Sequence, residues 1–203
     1  MIKIENVEVY GWESAIRGCR NPKNSWDRMD SYQDTTCYRI GPNDHNLMMR
    51  LAKAGSEHAK YRRMIEVWCD VTCPSYVAAE VDTYKVGTVR NSCSLQHKGA
   101  SRDFTLDDFT FDPAIKKEDM QEAIDKVNAY RRLYVDTKDY TYFLAMRQIM
   151  PMGYNYRFTF HTNYETLSNI YRQRKNHKLP EWREFCQWIK TLPYSEIITL
   201  EEE

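Results

Sequence analysis

The chain has 203 residues, enough for one domain with a sizeable core, and its 29 basic and 29 acidic side chains leave no net charge. Neutrality argues against a general polyanion binder, which shows a basic excess or stripe, but leaves room for a local arginine cluster that takes a nucleotide. No apolar run is long enough to span a membrane, and MIKIENVEVYGWE lacks the apolar core and cleavage site of a signal peptide, so the expected location is the cytoplasm.

Fifteen Tyr and 5 Trp against only 7 Gly and 7 Pro describe an ordered chain without long flexible linkers. Ile2, Ile4, Val7 and Val9 predict an opening strand that changes face near Glu5–Asn6. Residues 18–34 are polar and broken, and read as a loop carrying Arg20 and Arg28, either solvated or a lid over a ligand. Asn43–Asp44 reads as the N-cap of a helix with Leu47, Met48 and Leu51 on its apolar face, ending at Gly55. Tyr61–Val71 alternates as a strand, with Cys69 joining Ile65, Val67 and Val71 on one face. Pro74–Asp82 predicts a helix with proline near its first turn.

Tyr84–Ser101 is rich in Gly, Ser and Asn and reads as a binding loop. Phe104–Phe111 predicts a turn of helix and a loop. Glu118–Asp136 is a long amphipathic helix, and Thr141–Ile149 a second, stopped by Pro151. Tyr156–His161 alternates as a strand, and two helices follow, separated by Asn176–Pro180. The order predicts one α+β domain over residues 1–203, a small antiparallel sheet covered by helices. The aromatic stripes of Leu167–Arg174 and Trp182–Ile189 exceed what such a sheet covers and predict a subunit interface.

The densest chemistry lies between Met146 and Trp182. Arg147 and Arg174 offer planar forks that grip a phosphate or a pyrimidine carbonyl edge, with a surface charge or an ion pair as the plain alternative. Asn163 stands where it caps the following helix, and Asn169 sits inside that helix, where Asn is a poor former. Ser94, with Asn91 nearby, can cradle an oxyanion. The six cysteines show no CxxC pair or zinc spacing, so no metal is expected, and free thiols are the expectation. No Walker sequence or nucleophile triad is present, although His97 stands near Cys93.

These residues resemble the flavin-dependent thymidylate synthases. That family reads A-R-x-x-L-P, then T-x-N, then L-x-x-F-L-x-L-R. The matching positions are Met146-Arg147 with Met150-Pro151, Thr162-Asn163, and Leu167, Asn169, Ile170 and Arg174. Ser56-Glu57-His58 is a weaker patch, and Asn91-Ser92-Cys93-Ser94 looks like the end of the signature R-H-R-x7-S. The signature itself departs: Thr83-Tyr84-Lys85 replaces R-H-R, and Glu80, Gln96 and Glu165 replace a Gln and two Arg. The resemblance implies methylation of dUMP at C5, with methylenetetrahydrofolate as carbon donor, FAD as cofactor and NADPH as co-substrate, in a homotetramer with shared sites. It implies Arg174 as the catalytic and pyrimidine-binding residue, Arg147 and Ser94 on phosphate, and Asn163, Asn169, Asn91, His177 and Lys85 toward the flavin. Tyr84 would stack on a ring, and Arg90 or Arg17 would compensate for the lost signature arginine, Arg90 being the better candidate because it lies inside the same loop. A nucleotide-binding or assembly protein that keeps the fold and has lost the flavin site is the competing reading. Neither reading calls for nucleic acid or a membrane as partner.

Overall fold

The computed structural model describes residues 1–201. The fold is α+β: a four-stranded antiparallel sheet of order β1-β4-β6-β5 with helices around it, plus a two-stranded ribbon. Its strands are β1 (Lys3–Tyr10), β4 (Glu66–Pro74), β6 (Asn155–Asn163) and β5 (Val89–Ser92), and the ribbon is β2 (Tyr32–Gln33) with β3 (Tyr38–Arg39). The chain forms two compact units. One holds residues Met1–Lys3, Val71–Thr83 and Asn91–Thr159, and the other Ile4–Asp70, Tyr84–Arg90 and everything from Phe160 onward.

The first unit contains α3 (Ser75–Val81), α4 (Leu95–Lys98), α5 (Lys117–Thr137) and α6 (Tyr140–Gln148). Its core joins Phe104 and Phe109 to Met120, Ile124 and Val127 of α5 and to Phe143 and Met146 of α6. A capping box between Thr105 and Asp108 shapes the turn that delivers the two phenylalanines. Asp139 caps α6 by accepting from the Thr141 N–H at 2.9 Å.

The second unit contains α1 (Trp12–Arg20), α2 (Pro42–Lys53), α7 (Tyr164–Arg174), α8 (Pro180–Ile189) and α9 (Glu196–Thr199). Gly11 opens α1 at φ +94, and a Cβ there would stand 2.0 Å from the Met64 carbonyl oxygen, so only glycine fits. Buried Arg62 reaches Glu165 at 3.1 Å and donates to Ser168 Oγ at 2.8 Å, tying the segment before β4 to α7. The Arg62–Glu165 contact is an ion pair without hydrogen-bond alignment, since neither Nε nor Oε2 finds a bonded partner.

Several expectations from sequence are corrected. Residues 18–20 end α1 rather than opening a loop, and α2 begins at Pro42. Its first N–H groups are capped from outside: Asp30 accepts from Asn43 N–H at 2.8 Å and Asp44 N–H at 3.0 Å. The strand expected from Tyr61 starts at Glu66, because Ala59–Met64 winds into a 3₁₀ turn held by Tyr61 Oη donating to the Met48 carbonyl at 2.8 Å. Residues 84–101 are not one loop, since β5 and α4 form inside them. The aromatic stripes of α7 and α8 are covered within the chain, with Leu167, Ile170, Trp182 and Ile189 all fully buried. The opening strand, by contrast, agrees with expectation: β1 is irregular at Asn6, which takes φ +51, where the change of face is expected.

Candidate functional site

Helix α7 is positioned at both ends by the turn Tyr84–Thr88. At its start, Asn163 leaves β6 in extended conformation, and its Oδ1 accepts from the Thr166 N–H at 3.0 Å. The same buried side chain donates from Nδ2 to the Gly87 carbonyl at 3.4 Å, and Thr166 Oγ1 donates to the Val86 carbonyl at 2.9 Å. Gly87 takes φ +70, and a Cβ would meet Asn163 Nδ2 at 2.5 Å, so backbone and contact both require glycine. Asn163→Ala is expected to cost about 1 kcal/mol of stability by loss of the cap, read by urea denaturation. A variant as stable as the parent would show that the cap carries no net stability.

At the far end, Arg174 Nε donates to Tyr84 Oη at 2.9 Å, and that hydroxyl donates to Gln173 Oε1 at 3.0 Å. The guanidinium lies 4.8 Å from the Trp182 ring centre, a cation–π contact. Arg174 Nη1 is 2.9 Å from His177 Nε2, while His177 Nδ1 faces the Leu179 N–H at 3.2 Å. A neutral imidazole has one acceptor nitrogen, so the two contacts orient the ring while only one at a time is a hydrogen bond. Asn169 is half-buried and accepts from Arg172 Nη2 at 3.2 Å. Lys85 is exposed and makes no hydrogen bond or ion pair with any described residue.

Of the eight residues singled out from sequence, Arg174, His177, Asn163, Asn169 and Lys85 belong to this unit. Ser94, Asn91 and Arg147 belong to the other. There, Asn91 is exposed on β5, and Ser94 stands directly before α4. Arg147 is exposed at the end of α6 and donates to Gln96 Oε1 at 3.4 Å, and Gln96 donates to Tyr140 Oη at 2.8 Å. Sequence reasoning missed the Tyr84 hydroxyl, Gln173 and Trp182. Trp182 was legible only in part: Pro180 opens α8 and puts Trp182 in its first turn, but nothing local says that it meets Arg174.

Nucleophilic cysteine chemistry finds little support in the buried thiols. Burial pushes Cys69 up to about 12 and Cys186 up to about 11. All six cysteines are free thiols, and no cluster of His, Cys, Asp and Glu suited to a metal occurs among the described residues. No helix among them is long and apolar enough to cross a membrane.

No family model and no curated protein matches this sequence. Solved structures do match the fold. Thymidylate synthase X from Helicobacter pylori, solved with FAD and dUMP, is 13% identical at TM-score 0.74, covering 98% of both chains. A second structure of the H. pylori enzyme with the same ligands is 12% identical at TM-score 0.75, covering 97% of this chain and 98% of that one. The UMP/dUMP methylase PolB from Streptomyces cacaoi, bound with 5-Br dUMP, is 14% identical at TM-score 0.66, covering 98% of this chain and 95% of that one. At these identities the likeness is one of fold.

Proposed function

We propose that this chain is a divergent enzyme of the flavin-dependent thymidylate synthase type, which binds a pyrimidine nucleotide and methylates it at C5. One observation carries the reading. The turn that stands in place of the R-H-R signature is bonded to both ends of the helix bearing the matched Asn163 and Arg174, 76 to 90 residues away in sequence. Two independent sequence matches thereby become one constellation. The fold likeness extends over 97–98% of the chain, which supports treating it as one domain of this type.

In this reading Arg174 orients the pyrimidine edge, while Ser94 and Arg147, which belong to the other unit, are assigned to phosphate on the sequence resemblance alone. Tyr84 and Trp182 restrict where the Arg174 guanidinium stands, the first by a hydrogen bond to Nε and the second by a cation–π contact. A bound flavin would supply the reducing equivalents for the methyl transfer, and the chain's share is binding and orientation. The donors fit that group loosely. Asn163 is engaged at both polar atoms, and His177 lies between two N–H donors. Within this unit, the Lys85 side chain and the Asn169 amide nitrogen make no hydrogen bond with a described residue. One lysine replaces two arginines as a point charge without a fork.

FAD is therefore expected to bind weakly and to be partly lost on purification. The absorption spectrum and a fluorescence titration with FAD test this, on the parent and on Arg90→Ala. A flavin band that persists through purification, unchanged by Arg90→Ala, would contradict both the weak binding and the compensation by Arg90. The flavin-free nucleotide-binding reading is favoured by the internal use of Tyr84, Asn163 and His177, and absence of FAD binding beside intact dUMP binding would select it.

The homotetramer also belongs to this proposal. Its support is a set of exposed apolar side chains on α5, on α6 and just after α6: Leu133 at 42% and Tyr130 at 37%, Leu144 at 41%, and Ile149 at 42%. Light scattering at micromolar concentration is expected to give a multiple of 24.3 kDa, and a monomer would contradict it.

A further inference from the structure

A second recess lies within the unit that contains α7 and shares no residue with the constellation around Arg174. It is a cleft of about 840 Å³ between the end of α1, the turn that follows it, and one face of α2. Arg20 comes from the last residue of α1, Lys23 and Arg28 from the turn, and Asn43 and Arg50 from α2, seven residues apart and so on one helical face. No carboxylate lines the cleft among the described residues.

The charges here are unbalanced. Lys23, Arg28 and Arg50 are exposed, and their side chains make no ion pair or hydrogen bond with a described residue. Arg20 is 4% exposed, with Nε on Asp44 at 2.6 Å and Nη1 on the Ser25 carbonyl at 3.2 Å. Its Nη2 has no hydrogen bond with a described residue and is not shut away from solvent. The dipole at the C-terminus of α2 accounts for one cation, Arg50, but not for Lys23 and Arg28, which stand on a separate element. Like charges gathered at a concave surface repel one another unless an anion occupies it. Leu47 and Leu51 add an apolar wall one turn apart on the same face of α2.

From this arrangement we propose that the cleft binds a small polyphosphate anion, a diphosphate group held by the forks of Arg28 and Arg50, with Lys23 as point charge and Arg20 reaching up from below. Arginine forks match phosphate oxygens bidentately, and three uncompensated cations suit a diphosphate better than a single carboxylate. The size favours a small molecule over nucleic acid, since pockets for such ligands run from about 300 to 1,000 Å³ and the chain as a whole is neutral. This inference does not rest on the functional reading of the Arg174 region.

The test is calorimetric titration of the full chain at low salt with inorganic pyrophosphate and, separately, with ADP. Both are expected to bind at one site per chain. Arg28→Gln combined with Arg50→Gln is expected to weaken each by at least about 100-fold, the lower end of the scale for losing two charge-assisted contacts, with an unchanged thermal melt and unchanged dUMP binding. Tighter binding of ADP than of pyrophosphate would identify a nucleotide as the source of the diphosphate, and equal binding a free polyphosphate. Absence of binding, or binding that survives the double substitution, overturns the proposal.

Discussion

Asp44→Asn is expected to destabilise the fold by about 3–5 kcal/mol, the scale for removing one partner of a buried ion pair. Asp44 is fully buried on α2 and accepts four hydrogen bonds: from Arg20 Nε and Ser31 Oγ at 2.6 Å, and from the Asp30 and Ser31 N–H groups at 3.0 Å. It thereby ties the end of α1 and the 30–31 turn to α2. Asparagine keeps the shape, but it has one oxygen for these donors and leaves Arg20 buried without a counter-charge. Urea denaturation measures the loss. Arg20→Met with Asp44→Leu is expected to recover most of it, because no lone buried charge then remains.

The same carboxylate sets a pH dependence. Burial alone would raise its pKa, but hydrogen bonds from Ser31, Arg20 and the Asp30 N–H, with the Arg20 charge, outweigh it and hold Asp44 below the ordinary 3.8. A depressed carboxylate contributes stability that is fully present above its unfolded value and is lost as pH falls through its folded value. The parent is therefore expected to lose stability below pH 3.8 more steeply than Asp44→Asn. Parallel curves would show that Asp44 does not carry this acid sensitivity.

Arg174→Ala is the second large effect. Nucleotide binding is expected to weaken by about 1.5–3 kcal/mol, the scale of a charge-assisted hydrogen bond. Arg174→Lys should recover only part, because a lysine cannot hold both the Tyr84 hydroxyl and a ligand edge in one plane. Denaturation curves on the same variants separate the loss of the Trp182 contact from the loss of ligand binding. Both variants binding dUMP like the parent would assign Arg174 a structural role only.

What the sequence disclosed depended on whether local pattern or distant contact decided the outcome. The long helix α5, the strand β6 and the cap at Asn163 follow from period and from one side chain beside its own N–H donors, and they were legible. Tyr61–Met64 alternates like a strand, yet the hydrogen bond of Tyr61 to Met48 and the buried pairing of Arg62 turn it into a 3₁₀ segment. Strand β5 was hidden because one valine followed by three polar residues carries no hydrophobic pattern, and only pairing beside β6 makes them a strand. At the site, Arg174 and His177 were visible as residue types. Their fixing by Tyr84 and Trp182 was not, since those partners are set by tertiary packing.

The central claim is that α7 and the turn at 84–88 build a pyrimidine-nucleotide site. Isothermal titration of the full-length chain with dUMP tests it most directly. Saturable binding that Arg174→Ala weakens by about 10- to 150-fold, the equivalent of the loss expected for one charge-assisted contact, is the predicted result. No binding of dUMP by the folded chain, with or without FAD, would contradict it.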